Sequence, residues 1–247
     1  MKRCQLVAAG TIAYVLMLVA TVPATVVDAT LGRVSEGRLR IAEARGTIWS
    51  GAGRIQLFDA SRQTGIAKII AWHLVPGSLL RGRLACEMEL DASGRRFTVT
   101  LSPARIEVTD ADFSVPAAVL GIAEQKLAPF GLGGELVVQI ADLMIGRRDI
   151  QANATVTWHR ANSTHTKVSP LGEYELRFEH SGTARTANLR TLDGPLQLDG
   201  TGSWVEGARP AFKATARVSP QYKEQLAPLM RMIAVERDAG NYEFQLQ

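Results

Sequence analysis

From about residue 30 onward, apolar and polar residues alternate with period two, and this limits the chain more than any other feature. In "YELRFEH" Tyr174, Leu176 and Phe178 interleave with Glu173, Glu175, Arg177 and Glu179; in "AFKATARV" Phe212, Ala214, Ala216 and Val218 interleave with Lys213, Thr215 and Arg217. Successive side chains of a strand point to opposite faces, so each segment reads as a strand with one face buried. The pattern recurs at 38–41, 53–58, 86–90, 95–101, 195–200 and 241–247, with short Gly, Asp, Ser and Pro connections between. Regular strands with short links predict antiparallel meanders and not a parallel sheet wound with helices. The expected fold is mainly β: an antiparallel sheet, curved or duplicated, with two short covering helices.

Those helices are expected where the alternation stops. "VPAAVLGIAEQKLAPF" from Val115 and "SPQYKEQLAPLMRMIAVE" from Ser219 each place a proline where a first helical turn tolerates it, and Ser219 offers a cap. Each comes late in its half of the chain. Two halves, 31–130 and 131–247, are suggested by "AWHLVPGSLLRGRL" (71–84) and "TWHRANSTHTKVSPLGEYEL" (157–176). Both run from Trp-His through a connection to Leu and Gly before an alternating strand. "GTIWSG" (46–51) and "GTGSWVEG" (200–207) form a looser pair in swapped order, as a divergent or permuted duplication would leave them.

Ahead of this lies an uncharged stretch of 19 residues, 4–22, following Lys2 and Arg3. At ~1.5 Å per residue it nearly matches the ~30 Å of a bilayer core. A cleavable signal peptide has a shorter apolar region of ~7–15 residues, so length favours an uncleaved anchor; Pro23, Ala24 and Ala29 are the cleavage region of the other reading. The expected plan is a cytoplasmic tail at 1–3, a membrane anchor at 4–27 and an exported β region. The basic residues before the anchor set that orientation, and in a Gram-negative cell the exported side is the periplasm. Cys4 and Cys86 then lie on opposite sides of a membrane and cannot pair. Cys86 alternates with Met88 and Leu90, as a small core residue does.

A net charge of +4, with basic residues spread along the chain, gives no nucleic-acid footprint. An anionic membrane surface remains compatible. No reactive constellation emerges. "TIWSG" lacks the first glycine of a nucleophile elbow, and there is no phosphate loop and no H-E-x-x-H pair. His73, His159, His165 and His180 are scattered without zinc-ligand spacing. Glu87, Glu89 and Asp91 share a strand face, but it is the solvent face opposite Cys86, Met88 and Leu90. The sequons at 153–155 and 162–164 would matter in a eukaryotic secretory protein and are given no weight. The expectation is a protein that is not an enzyme, with no catalytic, cofactor or metal residues.

The tryptophans read as structural. Trp49 stands among Gly46, Thr47, Gly51 and Gly53 between two alternating runs, the composition of a tight β corner with an aromatic plug. Trp72, Pro76 and Gly82 form a Trp-x-x-x-Pro-x-x-Leu-x-x-Gly pattern; Trp158, Pro170, Gly172 and Trp204 supply the elements of the second half. In this order, behind a basic tail and a span ending "ATVPA", these motifs resemble the type II secretion system protein N family of Gram-negative bacteria over nearly the whole chain. The resemblance implies an inner-membrane accessory protein of the machine that moves folded proteins from the periplasm across the outer membrane. Its partners would be other inner-membrane secretion subunits or exoproteins, met for instance by strand addition at a sheet edge, and it implies no catalytic residues. The alternative is a lipid-handling module resembling the AsmA-like periplasmic proteins, with a curved sheet offering an apolar groove lined by small residues such as Ala214 and Ala216.

Overall fold

A computed structural model describes residues 2–59, 65–147, 149–181, 184–205, 211–233, 235–238 and 241–246. The chain forms two compact units, Met1–Arg96 and Phe97–Gln247, a division earlier than the expected boundary at 130/131.

The first unit opens with α1 (Lys2–Ala20) and α2 (Thr25–Val34), then runs through β1 (Leu39–Gly46), β2 (Ser50–Phe58), β3 (Gly65–Val75), the single-turn α3 (Pro76–Leu79) and β4 (Leu84–Leu90). The strands pair in sequence order, each antiparallel to the next. Alternation puts Ile41, Ile70 and Trp72 on one face, where α2 covers them: Ala24, Val27 and Leu31 pack against them, joined by Ile55, Cys86 and Met88. A polar clamp fixes the cover. Arg40 donates two hydrogen bonds to the Asp28 carboxylate, at 2.9 and 2.8 Å, and the Ile41 N–H adds a third at 2.7 Å.

The span expected over 4–27 is not one helix. Pro23 has no N–H to donate and disfavours helical backbone at the preceding residue. The chain there bonds to the sheet instead: the Ile48 N–H donates to the Val22 carbonyl and the Ala24 N–H to that of Gly46, both at 3.0 Å. Among the described residues no helix is long and apolar enough to cross a membrane.

The second unit carries β5 (Arg96–Leu101), β6 (Arg105–Pro116), α4 (Val119–Ala123), β7 (Leu132–Gly146), β8 (Ile150–Ser163), β9 (Gly172–Ser181), β10 (Ala184–Asp193), β11 (Leu196–Val205), β12 (Ala211–Val218), α5 (Lys223–Ile233), β13 (Val235–Asp238) and β14 (Asn241–Leu246). Neighbours pair antiparallel in chain order up to β12, which pairs with β14, and β14 with β13. The main core lies where α5 crosses one face. Leu226, Leu229 and Met230 pack on Ala161, Val168, Leu171, Tyr174, Leu196 and Ala216. The helix expected from Val115 shrinks to α4, because Val115 and Pro116 stay in β6, paired with Leu136 and Glu135. The helix expected from Ser219 begins as a 3-10 turn over Pro220–Tyr222, and the Ser219 hydroxyl makes no capping bond.

Bulges bend strands in both units. Glu43 (φ 55) and Arg160 (φ 48) lie within register shifts of β1 and β8; left-handed backbone at a bulge kinks the strand and tightens its twist. The alternation reads cleanly in β12, where Ala214 and Ala216 are buried and Lys213, Thr215 and Arg217 are exposed.

Candidate functional site

The tightest joint of the first unit is the turn 46–51. Gly46 holds φ +90°, and a Cβ there would lie 2.5 Å from the Ser50 carbonyl oxygen. The Thr47 N–H donates to that same carbonyl at 2.9 Å. The Thr47 hydroxyl accepts from the Trp49 and Ser50 N–H groups at 3.3 Å each. Gly51 faces Trp72 across the β2–β3 pair; a Cβ on Gly51 would sit 2.4 Å from the indole Cζ2. Glycine is required here because the ring occupies the space a side chain would fill.

The aromatic plug of this corner is therefore Trp72, 7% exposed, and not Trp49. The Trp72 Nε1–H donates to the Ile48 carbonyl at 3.3 Å. Trp49 is half-buried and faces the other way, its Nε1–H donating to the Val19 carbonyl in the last turn of α1 at 2.9 Å. The Leu74 N–H donates to the Trp49 carbonyl at 2.7 Å. One turn thus ties together the end of α1, the start of β2 and the end of β3. Beyond β3, Pro76 opens α3, and Gly82 (φ +67°) lies in the exposed turn before β4.

The second-unit motif residues assemble elsewhere. The Trp158 Nε1–H donates to the Gly133 carbonyl at 3.0 Å, and its ring lies 5.9 Å from that of Tyr174 at 56°. The Tyr174 hydroxyl, buried beneath α5, is shared between the carbonyls of Leu196 (2.8 Å) and Leu171 (3.1 Å). Burial pushes its pKa well above the ordinary phenol value. Pro170 precedes Leu171 in the β8–β9 connection and Gly172 opens β9. Trp204 is half-buried in β11 opposite Arg185; Glu206 and Gly207 of its motif lie outside the described residues. Seven of the eleven motif residues thus lie in the first unit and four in the second, with Gly82 and Trp204 standing apart from the two tryptophan joints.

Most of the remaining polar candidates have ordinary partners, but the His180 Nδ1 is buried without a hydrogen-bond partner among the described residues. Arg96 lies 3.9 Å from Glu87 and 3.8 Å from Glu89, and Asp91 pairs with Lys68, so the acidic trio is an ion-paired surface. The Cys86 thiol is half-buried, and burial raises its pKa; the side chain of Cys4 lies outside what is described. His159 meets Glu173 at 3.4 Å and His165 meets the Pro129 carbonyl at 2.5 Å. Among the described residues no group of three or more His, Cys, Asp or Glu is placed to hold a metal ion. Two features had no local sequence signal. One is the buried pair of Arg185 with Asp149, residues 36 positions apart. The other is an open groove of about 730 Å³ in the second unit, lined by Ala111, Ile140, Ala154 and Phe178 together with Asp112, Arg177 and His180.

Taken singly, each unit is an antiparallel meander with a helix over one face and tryptophans at its joints. The family model described as type II secretion system (T2SS), protein N, matches residues 37–245, and the chain belongs to this family. It is a component of the type II secretion system. No curated protein and no solved structure matches the chain.

Proposed function

We propose that this protein is an inner-membrane-anchored accessory of the secretion machine, with both β units in the periplasm, acting through protein contacts and not by catalysis. One observation carries the reading. In α1, Val7, Ile12, Val15, Leu16, Met17 and Leu18 are between 49% and 69% exposed. A helix that is apolar all round belongs in a protein core or in lipid, and the tie to the sheet described for α1 is at its last turn. The uncharged part of α1, residues 4–20, covers about 25 Å at ~1.5 Å per residue, most of a bilayer core of ~30 Å. Lys2 and Arg3 before it favour a cytoplasmic N-terminus.

The partners on this reading are other inner-membrane secretion subunits or exoproteins. The test is photocrosslinking in cells from exposed positions of the second unit, with mass spectrometry of what is captured. Secretion subunits or an exoprotein are expected, and deletion of the gene should abolish exoprotein export; intact export overturns the reading. A lipid-handling alternative would use the second-unit groove, where Ala111, Ile140, Ala154 and Phe178 stand among charged residues such as Asp112 and Arg177. Phospholipid captured from Ala154 or Phe178, with no secretion protein, would support that alternative instead.

A further inference from the structure

The end of the first unit to which α1 is fastened carries more than α1. In a meander whose strands pair in order, the end of β1, the start of β2, the end of β3 and the start of β4 lie at one edge. α1 is fastened at that edge through Val19 and Val22 to the turn 46–51. The Leu74 N–H bonds to the Trp49 carbonyl, which puts the end of β3 level with the base of α1. From there the chain continues outward through α3 and the residues up to 83 before it returns as β4. At the tip Leu80 is 92% exposed and Leu79 43%, and Arg81 and Arg83 beside them are exposed.

Two bare leucines next to two arginines are costly in water and well matched to a lipid headgroup layer. There apolar side chains reach the acyl boundary while guanidinium groups meet phosphate. The charge of this edge agrees. The segments 44–52 and 72–86 contain Arg45, Arg81 and Arg83 and no acid; the first acids along the strands are Glu43 and Glu87. The opposite end, at the starts of β1 and β3 and the ends of β2 and β4, mixes Glu36, Asp59 and Asp91 with Arg38, Arg40 and Lys68. The α1 end, with arginines and no acid, suits an anionic bilayer.

We propose that the β3–β4 connection, 76–83, inserts Leu79 and Leu80 into the interface of an anionic bilayer beside α1, with Arg81 and Arg83 on lipid phosphates. The inference rests on the anchor reading above. A second contact point fixes the tilt of the first unit on the membrane, which one helix joined by a short turn does not.

The test uses the full chain reconstituted in vesicles of phosphatidylethanolamine and phosphatidylglycerol, with a genetically encoded environment-sensitive fluorophore at Leu80. A control variant carries it at exposed Ser93, beyond the far end of β4. The label at 80 should shift to the blue and be quenched at least twofold by doxyl-labelled lipid, the label at 93 should do neither, and R81Q/R83Q should reduce the quenching. A label at 80 that stays in water, or shifts without lipid quenching, in a chain that alkaline carbonate leaves in the membrane, overturns this proposal and spares the anchor. Release of the chain by carbonate overturns the anchor, and this inference falls with it.

Discussion

The two units cover a sheet face with a helix in opposite ways. In the first, the cover α2 precedes the sheet and continues from α1. It is held by a small apolar set around Trp72 and by the Asp28–Arg40 clamp. In the second, the cover α5 follows most of the sheet and is held by burial, with Leu226 and Met230 fully enclosed. The first unit is therefore organised around its attachment to α1, and the second around its own core. Local unfolding follows from how much apolar contact each segment has, so the first unit should respond to changes at its joint and the second to changes in its core.

The comparison is tested hardest by Trp72→Ala. Removing this plug should cost ~3–5 kcal/mol. In urea, hydrogen exchange should show the amides of β1–β4 opening first while those of β8–β12 keep their protection; simultaneous opening would mean the units do not differ as described. Met230→Ala is the mirror experiment, with ~2–5 kcal/mol expected and the order reversed. Tyr174→Phe keeps the ring beside Trp158 and removes the donor shared by two carbonyls, so ~1–2 kcal/mol should be lost, confined to the second unit.

Trp49→Phe should cost ~1 kcal/mol or less and leave the sheet intact. Its effect should be at the joint: losing the bond to Val19 should speed proteolysis between Ala20 and Thr25, and an unchanged cleavage rate would deny Trp49 its fastening role. The smallest effect concerns pH. The Arg40 guanidinium holds the Asp28 carboxyl below its usual range, against a raising effect of burial, with the Ile41 N–H adding to the lowering. A folded pKa below the unfolded value of ~3.9 gives a contribution fully present above that value and lost as pH falls through the folded one. Exchange of the Ile41 amide should accelerate at the acid end, and Asp28→Asn should show the faster rate already at neutral pH.

Much of this architecture was legible from period two alone. The segments at 38–41, 53–58, 86–90, 195–200 and the YELRFEH and AFKATARV runs fall in strands except for their first residues Arg38 and Pro195, because facing is set residue by residue along a pleat. What depends on long-range register was not legible. Trp49, flanked by glycines, carries the local signature of a plug, yet burial goes to Trp72 because the β2–β3 register sets it opposite Gly51, 21 residues away. Similarly, Val115 and Pro116 resemble a helix start, but pairing with β7 keeps them extended. Pro23, read in the sequence as part of a cleavage region, also carries the break after Ala20, while the bonds from Val22 and Ala24 to the turn 46–51 leave no local signal.

The central claim is that α1 holds this secretion component in the inner membrane with the β units outside it. The most direct measurement is protease treatment of spheroplasts, paired with alkaline carbonate extraction of untreated membranes from the same cells. The account predicts that protease reaches the β units only after the outer membrane is opened, and that carbonate leaves the full chain in the membrane pellet. β units that stay protected in spheroplasts and are digested only after lysis, or a chain released by carbonate, would contradict it.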